Sequence, residues 1–312
     1  MSALLDRLPP GSRIAVIRLR SLGDCVLTTP ALALLKVYRP DLKVSVVVEP
    51  RFAGVFEDNP DVDDVSVDVP RADLVLNLHG GTRSIWMTLK SLARFRVGFG
   101  HHRHSFLYSH KIPRAQDILG VDRPVHTAEH LASAMFWLGV PSAEIPRAKL
   151  VAPRWEHTSP YAVIHPFASD PAKAWPVERF VEVAFRLISD FGVEPHVVAG
   201  PADDASMFSR FRILQNASLA AVKSLMSGAS YFVGNDSGPA HVAAAFGVPV
   251  VVLFGPSNPV TWAPWRTESK VLTSHGDISA IPVEDVLGAL RAMTGRDGSK
   301  LLSPATLSKV IS

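Results

Sequence analysis

The chain has 312 residues, of which 47% are hydrophobic and 20% charged, with a formal net charge of +3. This composition excludes a disordered or fibrous chain, and the length permits two domains of ordinary size. No apolar run reaches the roughly 20 residues that cross a bilayer, the first residues lack the basic start and apolar core of a secretion signal, and a lone Cys25 excludes an internal disulfide or a Cys-based zinc site; a cytoplasmic protein is expected.

A first buried strand is expected over Arg13 to Leu19, followed by Arg20-Ser21-Leu22-Gly23-Asp24 and a helix near Val26 to Tyr38. Pro30 in that helix is tolerable only in the first turn or at a kink. Asp24 then lies at the tip of a strand-to-helix loop, where open α/β sheets place ligands; the residues alone leave an N-cap and a ligand-facing carboxylate both open. Strands near Lys43 to Val48, Val65 to Val67, Leu74 to Leu78 and Phe95 to Gly98 alternate with helices near Phe52 to Glu57 and Ile85 to Leu92, the order of parallel βαβ units. A helix near Ala128 to Leu138 stops at Gly139 and Pro141, and the proline-dotted stretch bracketed by Pro146 and Pro153 reads as a linker.

The second series starts with a strand over Tyr161 to His165. It continues with a helix over Phe180 to Phe191, a strand over Pro195 to Ala199, a helix over Ala217 to Ser227 and a strand over Tyr231 to Gly234, then a helix over Ala240 to Phe246 and a strand over Pro249 to Phe254. Domains of 1–155 and 156–312 follow, and two such halves put a ligand in a central cleft. Arg296 to Ser312 carries no core pattern.

The turn Asn235-Asp236-Ser237-Gly238-Pro239 breaks straight into an Ala-rich helix. Unpaired N–H groups and the positive end of the helix dipole there suit a phosphate or pyrophosphate, and Gly238 permits close backbone approach, although an ordinary capped helix has the same pattern.

Charge is uneven. Residues 1–150 hold 19 Lys or Arg against 15 Asp or Glu, and the remainder 13 against 14. No acidic residue occurs between Asp73 and Asp117, whereas Arg83, Lys90, Arg94, Arg96, Arg103, Lys111 and Arg114 do, together with His101, His102, His104 and His110. One reading is a solvated face. The other is an electropositive wall for an anionic acceptor or an anionic membrane surface. Nucleic acid is not expected, since no binding module accompanies the charge.

Metal chemistry is not expected either. His101, His102 and His104 have no carboxylate or Cys nearby, and Asp61-Val62-Asp63, although it spells Asp-x-Asp, alternates with valines as a solvated edge strand does. Neither a Gly-x-Gly-x-x-Gly after the first strand nor a Gly-x-x-x-x-Gly-Lys-Ser/Thr occurs, which excludes the dinucleotide fingerprint and the P-loop.

Three segments in order carry a family pattern: Ser21-Leu22-Gly23-Asp24 with Thr29-Pro30-Ala31; His165-Pro166-Phe167-Ala168-Ser169 with Lys173-Ala174-Trp175-Pro176; and Asp236-Ser237-Gly238-Pro239-Ala240-His241 with Phe254-Gly255-Pro256. Together they resemble glycosyltransferase family 9, whose best-known members are the lipopolysaccharide heptosyltransferases. Ser237 departs from the Thr usual there and keeps the hydroxyl.

The resemblance implies a GT-B fold of two Rossmann-like, doubly wound parallel-sheet domains, acceptor-binding then donor-binding, and a metal-independent, inverting transferase with no cofactor. It implies ADP-heptose as donor and an anionic lipopolysaccharide inner-core glycolipid as acceptor. In that reading Asp24 is the general base and Lys173 neutralises the departing diphosphate, with Ser169, Asp236, Ser237, Gly238 and His241 completing the donor pocket. Asp203 or Asp204 stands near the donor ribose. Ser21, Gly23, Arg83, Arg94 and Arg103 fall on the acceptor side, and domain closure is expected during turnover. A noncatalytic nucleotide-sugar sensor or envelope-assembly scaffold is the alternative; a GT-B epimerase has no distinctive support.

Overall fold

The structure is a computed structural model that describes residues 3–274 and 276–294, so Arg296 to Ser312 lies outside the described residues. The chain divides into two compact units, Met1–Val151 and Ala152–Ser312.

In chain order the first unit contains β1 (Arg13–Ile17), α1 (Leu22–Tyr38), β2 (Lys43–Val47), β3 (Asp64–Ser66), β4 (Leu74–Asn77), α2 (Thr82–Lys90), β5 (Phe95–Phe99), β6 (His110–Ile112), α3 (Ala115–Leu119) and α4 (Thr127–Leu138). Its six described strands are all parallel and ordered β3-β2-β1-β4-β5-β6. The second unit contains β7 (Tyr161–His165), α5 (Val177–Phe191), β8 (Glu194–Ala199), β9 (Arg212–Gln215), α6 (Leu219–Gly228), β10 (Tyr231–Asn235), α7 (Gly238–Ala245), β11 (Val250–Phe254), α8 (Pro259–Trp262), β12 (Ser269–Thr273) and α9 (Val283–Thr294). Its order, β9-β8-β7-β10-β11-β12, repeats the first, again with every described pair parallel.

Each unit is thus a doubly wound Rossmann-like sheet whose strand order reverses between its first and fourth strands. That reversal opens a crevice at the carboxyl ends of β1 and β4 in one unit and of β7 and β10 in the other. Central strands such as Val250–Phe254 are buried on both faces, which is why they read as unbroken apolar runs rather than alternating ones. In the second unit Trp175, Phe180, Leu187, Phe208, Val251, Leu287 and Leu290 pack in one apolar core.

Some expectations are corrected. Helix α1 begins at Leu22, four residues before the expected start, because Ser21 and Asp24 form a capping box. Pro30 therefore sits mid-helix. Its missing N–H would have bonded the Val26 carbonyl, and the Thr29 hydroxyl donates to that oxygen instead, at 2.9 Å. The same hydroxyl accepts a 2.8 Å bond from the Lys149 N–H. The helix expected over Phe52 to Glu57 is a 3-10 turn, Pro50–Val55.

Strands β6, β9 and β12 were not expected; each is an outer strand of three to five residues with polar positions, too short for a clear period. β3 is an edge strand as expected, yet Asp61 ahead of it is buried and ion-paired with Lys149 at 2.5 Å, not solvated. The proline-dotted stretch is not a free tether. Ile145, Ala148 and Leu150 are buried and the Lys149 carbonyl accepts from Asn59, while the Pro153 carbonyl accepts from the Ser224 and Ser227 hydroxyls of α6. The division between units falls at Val151, four residues before the expected boundary.

Candidate active site

The first crevice is built from the end of β1 and the turn after β4. Asp24, at the third position of α1, accepts from the Ser21 N–H at 3.3 Å and the Ser21 hydroxyl at 3.1 Å through Oδ2. Its Oδ1 accepts from Nη1 of Arg18 at 3.3 Å. Arg18 is buried, so its guanidinium is held against Asp24 with little hydration, and its Nε has no partner among the described residues. Asp24 keeps 23% of its side-chain surface exposed, enough to meet a hydroxyl from solvent. Gly23 is buried and Ser21 exposed beside it. Cys25 is buried next in line, and loss of hydration raises its thiol to about 12, so it is an inert packing residue.

Across the reversal, β4 ends in buried Asn77, whose Oδ1 accepts from the N–H groups of His79 and Gly80 while its Nδ2 donates to Ser84 and Thr88. This fixes His79 within electrostatic reach of Arg18 and Asp24. Burial, and then Arg18, push its pKa below the usual imidazole value, and its Nδ1 is buried without a partner among the described residues. Gly80 has φ +77°, and a Cβ there would meet the His102 ring at 2.4 Å, so glycine is required on both counts.

The basic stretch is only partly what its composition suggests. His102 and His130 are each pulled down to about 4, chiefly by burial, and His101 and His110 are lowered for the same first reason. His130 stacks on Phe99 at 4.0 Å, and His102 pairs with the Tyr108 hydroxyl at 3.1 Å. His102 and His130 are therefore neutral at pH 7 and add no charge to a basic wall, and His130 lies within electrostatic reach of Asp24; His101 remains exposed. Arg83, Arg94 and Arg103 are exposed; Arg83 lies 3.5 Å from Glu49 and Arg94 stacks on Phe95. Arg18, His79 and His130 escaped the sequence reading, since a lone Arg in a strand and isolated histidines carry no motif.

The second crevice brings together residues far apart in sequence. The loop after β7 carries exposed Ser169 and leads into a 3-10 turn, Pro171–Lys173; Nζ of Lys173 donates to Oδ2 of Asp236, after β10, at 3.0 Å. Asn235, buried at the end of β10, ties the two loops by donating to the Pro166 carbonyl and accepting from the Trp175 N–H. Trp175 is itself buried and donates from Nε1 to the Ile281 carbonyl at 2.9 Å.

Ser237 stands at the N-cap position of α7 without a capping side-chain bond, its hydroxyl 3.3 Å from Nδ1 of His165, and Gly238 and Pro239 open the helix, where the first-turn positions have no intrahelical acceptor. His165 is drawn down to about 4, chiefly by burial, so it is neutral beside that hydroxyl. His241 is buried within α7. The Asp203 carboxylate accepts from the Gly200 N–H at 2.7 Å and acts electrostatically on His165, whereas Asp204 caps the next turn through the Ser206 N–H. Gly255, after β11, is packed so closely that a Cβ would lie 2.5 Å from the Ala172 carbonyl oxygen.

Known proteins share this architecture. The sequence profile of glycosyltransferase family 9 (heptosyltransferase) matches residues 67–282. Lipopolysaccharide heptosyltransferase 3 of Escherichia coli is 25% identical over 308 residues, covering 84% of this chain and 89% of that protein. The crystal structure of the glycosyl transferase family 9 protein from Veillonella parvula has a TM-score of 0.81 at 22% identity, covering 91% of this chain and 97% of that one. E. coli heptosyltransferase WaaC with ADP has a TM-score of 0.76 at 19% identity, covering 90% and 99% respectively. With the paired Rossmann-like units of the GT-B class and a profile match over more than half its length, this chain belongs to glycosyltransferase family 9, the heptosyltransferase family.

Proposed function

We propose that the protein transfers heptose from ADP-heptose to a sugar of a lipopolysaccharide core or related cell-surface glycolipid, with inversion at the anomeric carbon and without a metal or cofactor. The observation that carries this reading is the meeting of Lys173 and Asp236 at the strand-order reversal of the second unit, beside the N-terminus of α7. The similarity to lipopolysaccharide heptosyltransferases supports this choice of sugar and acceptor class.

Breaking the anomeric carbon–oxygen bond builds positive charge on the sugar and negative charge on the departing diphosphate. The Lys173 ammonium and the N–H groups at Ser237 and Gly238 stabilise the diphosphate, with Ser169 at the rim. When the donor arrives, Lys173 shares its charge between the diphosphate and Asp236, which fixes its position. Asp203, within reach of His165, is the member of its pair on the donor side; Asp204 is a turn cap.

In the first unit Asp24 accepts the acceptor hydroxyl proton as the oxygen attacks the anomeric carbon. Arg18 orients that carboxylate, and His79, neutral at pH 7, lies near enough to direct the hydroxyl. The anionic acceptor is drawn to the exposed face of α2, where Arg83, Trp86 and Lys90 stand at helical spacing and Trp86 is 53% exposed. The same basic and aromatic face suits an anionic membrane surface. Among the described residues no helix is long and apolar enough to cross a membrane, so contact at the surface is the mode proposed.

The test is transfer by the purified protein from a panel of nucleotide sugars onto a truncated core glycolipid, read by mass spectrometry, for the wild type, Asp24→Asn and Lys173→Ala. Transfer from ADP-heptose that is lost in Asp24→Asn with donor affinity retained, and weakened donor binding in Lys173→Ala, are expected. Donor binding without consumption by the wild type, on any acceptor offered, would favour a sensor. Full activity in Asp24→Asn would remove Asp24 as the base.

A further inference from the structure

At the opposite edge of the second sheet, away from the carboxyl ends that carry Lys173 and Asp236, three side chains converge that the transferase reading does not use. His157 lies four residues before β7 begins, and Glu194 and His196 stand two apart on β8, on one face of the sheet. Nε2 of His157 is 3.5 Å from Oε2 of Glu194, and Nε2 of His196 is 3.3 Å from Oε1 of the same carboxylate. One ligand atom from each residue lies within 4.8 Å of the other two.

These separations are long for a charge-assisted hydrogen bond, which falls at about 2.7–2.9 Å. They match the spacing of two ligands that share an ion instead. Donors about 2.1 Å from a tetrahedral zinc lie about 3.4 Å apart.

The surroundings fix the rings for that task. Nδ1 of His157 is 2.9 Å from the Ser159 carbonyl oxygen, a contact that needs the proton on Nδ1; the Ser159 N–H is farther, at 3.3 Å. The Nε2 lone pair of the neutral ring is then directed at the cluster, the arrangement typical of metal-bound histidine. His196 is buried and stacked on Tyr161 at 4.8 Å and 24°, and the Tyr161 hydroxyl is anchored on the Leu225 carbonyl at 2.7 Å. Glu194 is 45% exposed, so the cluster opens to solvent.

We propose that His157, Glu194 and His196 bind a divalent transition-metal ion of the zinc type, with water completing the shell, and that this ion staples the segment entering the second unit to β8. Two imidazoles and one carboxylate select zinc, cobalt or nickel over magnesium or calcium. Nothing in the transfer chemistry depends on it, because the ligands sit at the amino edge of the sheet.

The test uses the untagged full-length protein, stripped with EDTA and titrated with Zn2+ against a chromophoric chelator, beside His157→Ala and Glu194→Gln. Both variants spare the buried His196 and are checked for folding by circular dichroism. One zinc per chain is expected for the wild type, with affinity falling at least about tenfold in either variant. Zinc should also slow amide hydrogen exchange over residues 152–160 in the wild type and in neither variant. Co2+ should give visible d–d absorption that both variants lose. Zinc binding that is absent in the wild type, or equal in wild type and variants, would overturn the site and leave an imidazole–carboxylate cluster alone.

Discussion

Gly255→Ala should disable Lys173 without touching it. The added methyl would lie 2.5 Å from the Ala172 carbonyl oxygen and 3.5 Å from the Lys173 Cα, and the first of these is a backbone atom that no rotamer change can move. Relief to an ordinary van der Waals contact requires the turn Pro171–Lys173, or the end of β11, to shift by about 0.9 Å. The 3.0 Å contact between Lys173 and Asp236 sits on that turn, so the cation moves with it. A misplacement of about 1 Å at a positioning residue costs up to about 100-fold in rate, and we expect kcat/KM for heptose transfer to fall by about 10- to 100-fold. Overpacking of this kind also costs about 1–3 kcal/mol of stability, which urea unfolding would read.

ADP affinity by calorimetry and initial transfer rates are the assays, with Gly288→Ala as control. Gly288 lies in α9 with nothing within 4 Å of its added Cβ, so that variant should keep full activity. Wild-type ADP affinity together with wild-type kcat/KM in Gly255→Ala would refute the reasoning, because the turn would then tolerate displacement or Lys173 would not contact the donor.

Thr29→Val keeps the shape of the side chain but leaves the Val26 carbonyl and the Lys149 N–H without their partner, so urea unfolding should show a loss of about 2 kcal/mol or more; an unchanged midpoint would remove the hydroxyl as the compensation for Pro30. His102, His130 and His165 stay neutral in the folded protein down to about pH 4, whereas in the unfolded chain they protonate near 6.5. The unfolded state therefore binds more protons between those values, and stability must fall as pH drops through the window, by about 2 kcal/mol per histidine between pH 7 and pH 5. His130→Phe, which preserves stacking on Phe99, should flatten that slope in denaturant titrations; an equal slope would show that His130 does not titrate this way. Asp24→Ala should lower the melting temperature more than Asp24→Asn, since alanine removes the capping box and strands the buried Arg18, while asparagine retains an acceptor for the Ser21 N–H. Equal melting temperatures would count against a structural role for the carboxylate.

The alternating order of elements was legible because parallel sheets covered on both faces leave unbroken apolar strands such as Val250–Phe254, separated by amphipathic helices such as Val177–Phe191. Three of the four outer strands, β6, β9 and β12, escape the same reading: Arg212–Gln215 is exposed at both ends, so burial imposes no pattern on it. The start of α1 is hard to place because a capping box needs only two polar residues, Ser21 and Asp24, and the sequence alone leaves Asp24 open between a cap and a ligand-facing carboxylate. The motifs point to Lys173, Asp236 and Ser237; Arg18 meets Asp24 across the turn from β1 into α1, six residues away, whereas His79 comes near Asp24 only through the adjacency of β1 and β4, about 60 residues apart in the chain. Sequence counts imidazoles without their burial, so it does not show that His102, held down to about 4 chiefly by burial, adds no charge to the basic stretch.

Both crevices solve one problem in the same way, and this separates scaffold from chemistry within the motifs. The strand beyond each reversal, β4 or β10, ends in a buried asparagine whose amide oxygen and nitrogen are both hydrogen-bonded: Asn77 shapes the turn that carries His79, and Asn235 binds the loop that carries Lys173 to the end of the strand that precedes Asp236. A buried amide of this kind is costly to leave unpaired, so it enforces a single loop geometry. Thr29 does comparable work for Pro30, and Gly255 for the turn at Ala172. Within the family-like segments, Thr29 and Gly255 thus belong to the supporting architecture of the crevices. Against that scaffold the two groups to which the proposed mechanism assigns chemistry stand out: a carboxylate held by Arg18 at one reversal and an ammonium held by Asp236 at the other, each paired and each still partly open to solvent.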